Sequence, residues 1–372
     1  MRLEEAIGFK KSVHIFNPDE SLPLPKELIG VEVEVEGMDR WNRTGDVPDL
    51  WTEVSDGSLR NGGTEFIFSE PLYGEGITDA LMDMDQFLTM NQRNVKVTYR
   101  CSIHVHLNVS DMSVEQFMTL ITLFLIFERS FIKYHGGDRE DNIFCTPFYR
   151  APDSLDLLSD IYTGIKSGSL YNDLVRGALD GFEKYHGLNL GSVINHGSLE
   201  FRHMPGTTDM GKVFEWIKII QYLKKAALNL EINYPRLIQE VSGNATFLVR
   251  DVFKECADSL MYGEMTHDLM QGARLAQRLV DYDVIAVADH LQVGHRLSPS
   301  TCEKIDRIKG ILRKEDVSPE PRSVEELGQL NPEELRQLNP EFPILEDADV
   351  NTSTVYSMNE FITMVREAGG ER

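Results

Sequence analysis

Four short segments of the chain alternate polar and apolar residues one by one, and their polar residues are of the kinds that bind metal ions and phosphate groups. They lie at 30–36, 63–66, 104–106 and 200–202. In a β-strand, side chains two residues apart point to the same side. Each segment is therefore predicted to place carboxylates, imidazoles or a guanidinium on one face of a sheet. Four such strands would form a site for divalent cations and a phosphoryl group.

The acidic residues of the first two segments are candidate metal ligands. Glu32, Glu34 and Glu36 share one face of the first predicted strand, with neighbours about 6.6 Å apart along it. Like charges at that spacing raise one another's pKa, whereas divalent cations prefer carboxylate oxygens and reverse that cost. The spacing suits two ions, and Glu65 and Asp56 could complete their ligand shells. Taken singly, each residue also fits an ordinary exposed carboxylate or, for Asp56, a simple Asp-Gly-Ser turn.

The last two segments supply the imidazoles and the guanidinium. His104 and His106 share a strand face, and histidines at this spacing can converge on a metal ion or a phosphate. Glu200 and Arg202 also share a face. The carboxylate suits a metal ion and the planar fork of arginine suits phosphate oxygens, although a plain cross-strand salt bridge is the alternative.

Composition bounds the classes of function that this chain can have. It has 372 residues, 41% of them hydrophobic, which is ordinary for a globular protein. Its 37 basic and 60 acidic residues give a net charge of −23. Such a chain repels nucleic-acid phosphates, so general nucleic-acid binding is not expected.

Cysteine usage and apolar runs indicate a cytoplasmic protein that does not enter a membrane. The four cysteines are widely spread and include no Cys-x-x-Cys pair, which argues against a zinc ribbon and suits a reducing compartment. Residues 1–10 lack the apolar core of a signal peptide. The most apolar run, 117–127, is too short to span a bilayer and predicts a buried helix.

The pattern along the chain divides it into three regions: a catalytic domain at 1–235, a helical accessory region at 236–315 and a Pro/Glu-rich segment at 316–372. Within the first region, alternation predicts strands at 29–37, 64–69, 96–109 and 198–203. Helical spacing predicts helices at 76–92, 113–135, 154–183 and 210–232, the second of them capped by Ser110 or Asp111.

The four segments, in this order, resemble the amidoligases, carboxylate–amine ligases of the glutamine synthetase and glutamate–cysteine ligase superfamily that are often found in phages and bacterial gene clusters. The likeness covers about residues 29–235. The matching stretches are 29–34, 56–58 with Glu65, 103–106, 184–190 and 199–202. The resemblance implies an α+β fold with a curved antiparallel sheet, an active site on its concave face, helices behind it and a mainly helical C-terminal region.

The resemblance also implies a role for each matching residue. Glu32, His104 and Glu200 would hold the metal ion nearer the nucleotide γ-phosphate. Glu34, Glu65 and Asp56 would hold the ion nearer the acyl substrate. The expected catalytic residues are Glu34, Glu200 and Arg202, of which Arg202 would stabilise the transferred phosphoryl group. Contacts with nucleotide or substrate are expected from His106, Lys184 and Asn189, and with a substrate carboxylate from Arg139 and Arg150.

By the same resemblance, the activity would be ATP- and Mg²⁺-dependent (or Mn²⁺-dependent) formation of an amide or peptide bond through an acyl phosphate. The partners would be a small-molecule carboxylate and an amine, or a peptide or macromolecular acceptor. Relatives range from monomers to rings, so a homo-oligomer is compatible with the family. Two alternatives remain open from the residues: a metal-dependent hydrolase or phosphoesterase, and a degenerate, non-catalytic ligase that acts as a binding protein.

Overall fold

The computed structural model describes residues 27–38, 40–136, 139–151, 184–229 and 234–278, together with Leu3, Glu5, Ser154, Leu155 and Leu158. Most of the helix predicted at 154–183 lies outside these residues, as does all of the chain from 279 onward. The boundaries predicted for the three regions therefore stay predictions.

The strands form one antiparallel sheet. In chain order they are β1 (Ile29–Val35), β2 (Trp51–Val54), β3 (Thr64–Phe68), β4 (Ser102–Asn108), β5 (Leu188–Asn189) and β6 (Ser198–Pro205). Their order across the sheet is β2-β3-β1-β4-β6-β5. The four alternating segments lie on β1, β3, β4 and β6, which are adjacent to one another in the sheet. The pairing thus brings together strands that are far apart in the chain.

Helices follow the strands in sequence. They are α1 (Glu75–Met90), α2 (Val114–Tyr134), α3 (Gly191–His196), α4 (Met210–Asn229) and α5 (Tyr234–Phe253), with further helical residues at 265–278. Short 3₁₀ turns occur at Phe148–Arg150, Lys254–Cys256 and Asp258–Leu260. The predicted α+β class, an antiparallel sheet backed by helices, is confirmed.

Two strands are shorter than the sequence predicts by more than one residue. β1 ends at Val35, and Glu36 forms an isolated bridge with Lys96. β4 starts at Ser102 rather than at 96, because the chain turns at Cys101, whose amide donates to the Thr98 carbonyl at 3.0 Å. The residues between the bridge and β4 therefore form a loop at the edge of the polar face.

Helix α2 contains the apolar run and is buried along nearly its whole length. Its N-cap is Ser113, which forms a capping box with Gln116, so the prediction of Ser110 or Asp111 was wrong. The Asp111 carboxylate instead accepts from Lys224 of α4 at 2.7 Å. No helix among the described residues is long and apolar enough to cross a membrane.

The apolar side chains of the sheet pack against the helices. Phe66 of β3 meets Phe87 of α1 edge to face with ring centroids 5.6 Å apart, and Phe201 of β6 meets Phe124 of α2 at 5.8 Å. Such aromatic contacts add stabilisation beyond the area they bury. This face, called the helix face below, leaves the opposite face of the strands for the polar residues.

The described residues after 235 pack on the outer side of α2. Phe253 meets Phe127 edge to face at 4.8 Å. Gly272 approaches the same helix so closely that a Cβ atom there would lie 2.4 Å from the Ile126 carbonyl oxygen. Only glycine fits that contact, so this part of the chain is closely joined to the helix that backs the sheet.

Candidate active site

The strand register brings the polar residues of different segments opposite one another on one face, called the site face below. The facing pairs are Glu32–His104, Glu34–Glu65 and His106–Glu200. A shift of one residue in any of these pairings would move the polar side chains to the helix face. The burial of the apolar residues between them therefore holds the site in place.

A register shift between β4 and β6 places two residues of β6 opposite His104. The pairs on either side of the shift are Ile103–Met204 and Val105–Phe201. Arg202 and His203 both fall between them. Arg202 lies on the site face, where Nη1 donates to the carboxylate of Glu200. His203 lies on the helix face, 5.3 Å from the ring of Phe124. Bulges of this kind re-aim side chains near active sites.

The first acid–histidine cluster consists of Glu32, His104 and Glu200. Each offers one ligand atom, and these three atoms lie within 4.8 Å of one another. His104 Nδ1 is 2.7 Å from Glu32 Oε2 and 3.6 Å from Glu200 Oε1. His106 Nε2 is 2.9 Å from the other oxygen of Glu32. This geometry suits a divalent cation held by carboxylates and an imidazole.

The second cluster consists of Glu34, Glu65 and His104, again with ligand atoms within 4.8 Å of one another. His104 Nε2 is 4.0 Å from Glu34 Oε1 and is buried without a hydrogen-bond partner among the described residues. A buried polar atom without a partner is costly. A cation between the carboxylates would satisfy it, so the residues present fit a second metal ion, with His104 joining the two clusters.

The acidic residues of the site face perturb one another's ionisation. Burial and the neighbouring Glu32 raise the pKa of Glu65 to about 9. Burial likewise raises the pKa of Glu34. Burial also opposes ionisation of Glu32, but the charges and hydrogen bonds of His106 and His104 hold its pKa well below the usual range. Divalent cations reverse the penalty on crowded carboxylates.

Two residues hold the carboxylate of Glu200, one on its own strand, β6, and one on the neighbouring strand, β5. Asn189 of β5 donates from Nδ2 to Glu200 Oε2 at 2.6 Å, and Arg202 donates to the other oxygen. Burial opposes ionisation of Glu200, but His106 and Arg202 together keep its pKa below the usual value. Asn189 is therefore placed to orient a metal ligand, as outer partners commonly do.

Small residues make room for His106. A Cβ atom on Gly30, the facing residue of β1, would lie 3.2 Å from the Cβ of His106. Ser192 and Ser198 each place a hydroxyl oxygen 3.3 Å from His106 Nδ1. Burial would lower the pKa of this imidazole, but Glu32 raises it above the usual value.

Three further residues of the predicted set lie outside the two clusters. Asp56 accepts from the amide of Ser58 and shapes the turn between β2 and β3. Glu36 is buried and accepts from the Arg60 amide at 3.0 Å, so it holds the same turn. Lys184 is exposed, with Nζ 4.9 Å from the ring centroid of Tyr185. Metal binding by Asp56 and substrate contact by Lys184 stay predictions.

The two arginines predicted to bind a substrate carboxylate are engaged with groups of the protein. Arg139 is 2% exposed, and its Nη2 donates to Ser102 Oγ at 2.8 Å and to the Arg202 carbonyl at 3.0 Å. Arg150 pairs with Asp141 and with Glu140, the latter at 3.5 Å. Arg139 thus braces the register shift that aims Arg202.

Sequence reasoning missed two contacts that shape the site. The amide of Ser102 donates to Glu34 Oε2 at 2.6 Å. Behind the sheet, Glu128 of α2 accepts from the Phe148 amide at 2.9 and 3.1 Å and lies 3.7 Å from His203 Nε2. In the sequence, Glu128 stands out only as a charged residue at the end of an apolar run.

The fold and the site face together define an α+β protein whose antiparallel sheet carries carboxylates, histidines and an arginine in one polar site. Comparison with known families gives the class: residues 25–223 match the family model Amidoligase_2, described as "putative amidoligase enzyme". The chain belongs to this amidoligase family, which confirms the resemblance. A search of curated proteins found no match.

Proposed function

We propose that this protein is an ATP- and Mg²⁺-dependent carboxylate–amine ligase that forms an amide or peptide bond through an acyl phosphate. One observation carries the proposal: two acid–histidine clusters share His104 and adjoin the guanidinium of Arg202. Such a set suits two divalent cations, Mg²⁺ or Mn²⁺, and a phosphoryl group. Membership in the amidoligase family supports the same class of reaction.

The reaction needs phosphoryl transfer because a carboxylate oxygen is a poor leaving group. In the first step the substrate carboxylate attacks the γ-phosphorus of ATP, and ADP leaves with the bonding electrons. In the second step the amine nitrogen attacks the acyl carbon and loses a proton, and inorganic phosphate leaves. Water has to be excluded between the steps, since it would hydrolyse the acyl phosphate.

The site residues have distinct roles in this proposal. Glu32, Glu200 and His104 would hold the cation nearer the nucleotide. Glu34 and Glu65, again with His104, would hold the cation nearer the acyl substrate. Bound Mg²⁺ supplies positive charge that offsets the phosphate groups and polarises their oxygens.

Arg202 and Asn189 act beside the ligands. Arg202 is placed to stabilise charge on the transferred phosphoryl group, because its planar fork can donate to two phosphate oxygens. Asn189 keeps Glu200 oriented through its 2.6 Å hydrogen bond. Arg202 belongs to β6, which is next to β4, and Asn189 belongs to β5, which is next to β6. Both side chains donate to the carboxylate of Glu200.

Trapping with hydroxylamine tests the proposal without knowledge of the natural amine. Hydroxylamine attacks an acyl phosphate to give a hydroxamate and inorganic phosphate. The protein is incubated with Mg·ATP, hydroxylamine and a panel of carboxylic acids, and both products are measured. We expect both to require a carboxylic acid and ATP. Glu34→Ala should abolish them, and Glu70→Ala, which changes an exposed carboxylate after β3, should not.

Other outcomes favour the alternatives. Cleavage of a phosphate ester or an amide that needs a metal ion but no ATP would indicate a hydrolase or phosphoesterase. Absence of both ATP turnover and ATP binding, the latter measured by calorimetry, would indicate a binding protein that has lost ligase activity.

A further inference from the structure

Two arginines converge on the turn between β2 and β3. Arg60 donates from Nη1 to the carbonyl oxygens of Gly57 at 2.8 Å and Leu59 at 2.9 Å. Arg100 donates from Nη1 to the carbonyl oxygen of Ser58 at 3.2 Å. The two guanidinium groups therefore flank one stretch of three residues, although they come from opposite sides of the site.

Neither guanidinium group is neutralised by the part of the chain that the structure describes. No acidic side chain there forms an ion pair with Arg60 or Arg100, and their Nε and Nη2 atoms make no hydrogen bond there. The chain as a whole has 23 more acidic than basic residues. Two neighbouring cations repel each other. Two unpaired guanidinium groups at one turn of so acidic a chain leave positive charge open to an anion from outside.

The pair lies at the end of the site face that carries Glu34. The backbone amide of Arg60 donates to Glu36 Oε1 at 3.0 Å, and Glu36 is two residues beyond Glu34 in the chain. Arg100 is two residues before Ser102, whose amide donates to Glu34 Oε2 at 2.6 Å. Arg60 and Arg100 thus adjoin the cluster assigned to the acyl substrate.

Exposed apolar side chains adjoin the same arginines. Tyr99 is 71% exposed and Ile143 is 73% exposed. The loops that carry them are joined by a hydrogen bond of 3.2 Å from Asn142 Nδ2 to the Tyr99 carbonyl. The Arg100 guanidinium carbon lies 5.2 Å from the centroid of the Tyr99 ring. The two unpaired guanidinium groups therefore lie beside exposed apolar side chains.

We propose that Arg60 and Arg100 form a binding site for a carboxylate of the acyl substrate other than the carboxylate that is activated. The inference rests on the proposed function. Guanidinium groups bind carboxylates through paired N–H donors, and both arginines keep such donors available. The carboxylate belongs either to a small dicarboxylic acid or to an acidic peptide, whose apolar side chains Tyr99 and Ile143 would contact.

Matched pairs of substrates test this site and separate the two sources. One pair is L-glutamate and L-glutamine. The other is acetylated Glu-Leu-Glu and acetylated Gln-Leu-Gln, which keep the same terminal carboxylate. Hydroxamate formation gives kcat and KM for each compound, and calorimetry in the presence of Mg·ADP gives Kd. The variants are Arg60→Gln and Arg100→Gln, with Arg93→Gln as a control at an exposed arginine.

We expect the acidic member of one pair to have the lower KM and Kd. Each variant should raise both values for that member by about 10- to 100-fold, the usual contribution of a hydrogen bond to a charged group. The kcat, the neutral members and Arg93→Gln should be unaffected. A preference for glutamate that is lost in the two arginine variants would identify a small acid. The same dependence for the acidic tripeptide alone would identify a peptide.

Three results would overturn the site: equal constants for acidic and neutral members, unchanged constants in both variants, or no binding of any member. In each of these cases, hydroxamate formation that still depends on Glu34 would show that the ligase proposal holds without the arginine site. Conversely, arginine-dependent binding of an acidic member without any ATP turnover would leave the site in place and remove the ligase proposal.

Discussion

The two faces of the central sheet are built from the same strands but are satisfied in different ways. On the helix face, aromatic rings such as Phe201 pack edge to face against the helices and are buried. On the site face, the carboxyls of Glu34 and Glu65 are crowded, and burial raises the pKa of both. One face therefore supplies stability, and the other carries an electrostatic cost that a bound cation removes.

A buried carboxylate on α2, the helix behind the sheet, also contributes to the site. Glu128 is fully buried and accepts from the amide of Phe148. This contact holds the loop in which the carbonyl of Phe144 accepts from Arg202 Nε at 3.4 Å. The buried carboxylate thus ties a loop on one side of the sheet to an arginine on the other.

Replacing Arg202 by Ala should show the largest effect on the site face. We expect turnover in the hydroxylamine assay to fall by about 1,000-fold or more, as when an arginine is removed from a phosphoryl-transfer site. Glu200 keeps its hydrogen bond from Asn189, so the free energy of unfolding should fall by less than about 2 kcal/mol. Wild-type rates in Arg202→Ala, measured alongside urea unfolding, would show that this guanidinium has no role in the chemistry.

Replacing Phe201, the residue between Glu200 and Arg202, should show the opposite behaviour. Phe201→Ala removes a buried ring, so we expect the free energy of unfolding to fall by about 3–5 kcal/mol. Urea denaturation measures the loss. The control is Phe247→Ala, because that ring is 66% exposed and should change stability by less than about 0.5 kcal/mol. Equal losses in the two variants would contradict the assignment of the helix face.

A smaller loss of stability is expected at Gly187, which directly precedes β5. A Cβ atom on Gly187 would lie 2.3 Å from the ring of His203, which is fully buried. Gly187→Ala should therefore cost about 1–3 kcal/mol, as overpacking does. A double-mutant cycle with His203→Ala measures the coupling of the two sites. Additive losses would show that the ring does not oppose the new methyl group.

The smallest expected effect is a dependence of folding stability on pH. Burial, together with the charges of His203 and Arg139, lowers the pKa of His135 well below its usual value of about 6.5. Below that pH the unfolded chain binds a proton that the folded chain does not. His135 should therefore reduce stability as the pH falls below about 6.5, by at most about 1.4 kcal/mol per pH unit, and have no effect above it.

Comparison of two variants isolates this contribution. His135→Phe should flatten the decline in unfolding free energy between neutral and mildly acidic pH, measured by urea denaturation. His267→Phe, which changes an exposed histidine, should not. A decline that is identical in wild type and His135→Phe would show that this histidine titrates normally in the folded protein.

Much of the fold could be predicted from local pattern. The strands with Glu32, Glu65, His104 and Glu200 were predicted to within a few residues, except that β4 begins later than expected. The buried helix α2 followed from its apolar run. The N-cap was misplaced because Asp111 has cap chemistry, and only its contact with Lys224, 113 residues away, shows why it serves elsewhere.

The site residues divide in the same way. Alternation of polar and apolar residues by itself determined which side chains share a face of each strand, since that period is a property of the extended backbone. The order of the motifs determined the family. Contacts with distant partners were not visible in the sequence: Arg139 donates to Ser102 and to the carbonyl of Arg202. Its predicted contact with a substrate carboxylate stays a prediction.

Only the tertiary structure decided which acid meets which histidine. Glu32 and His104 are 72 residues apart in the chain, and the strand register places their side-chain atoms 2.7 Å apart. The register shift that sends Arg202 and His203 to opposite faces depends likewise on the pairing of β4 with β6. Strand pairing is set by contacts between distant segments, whereas a sequence pattern reports only on neighbours along the chain.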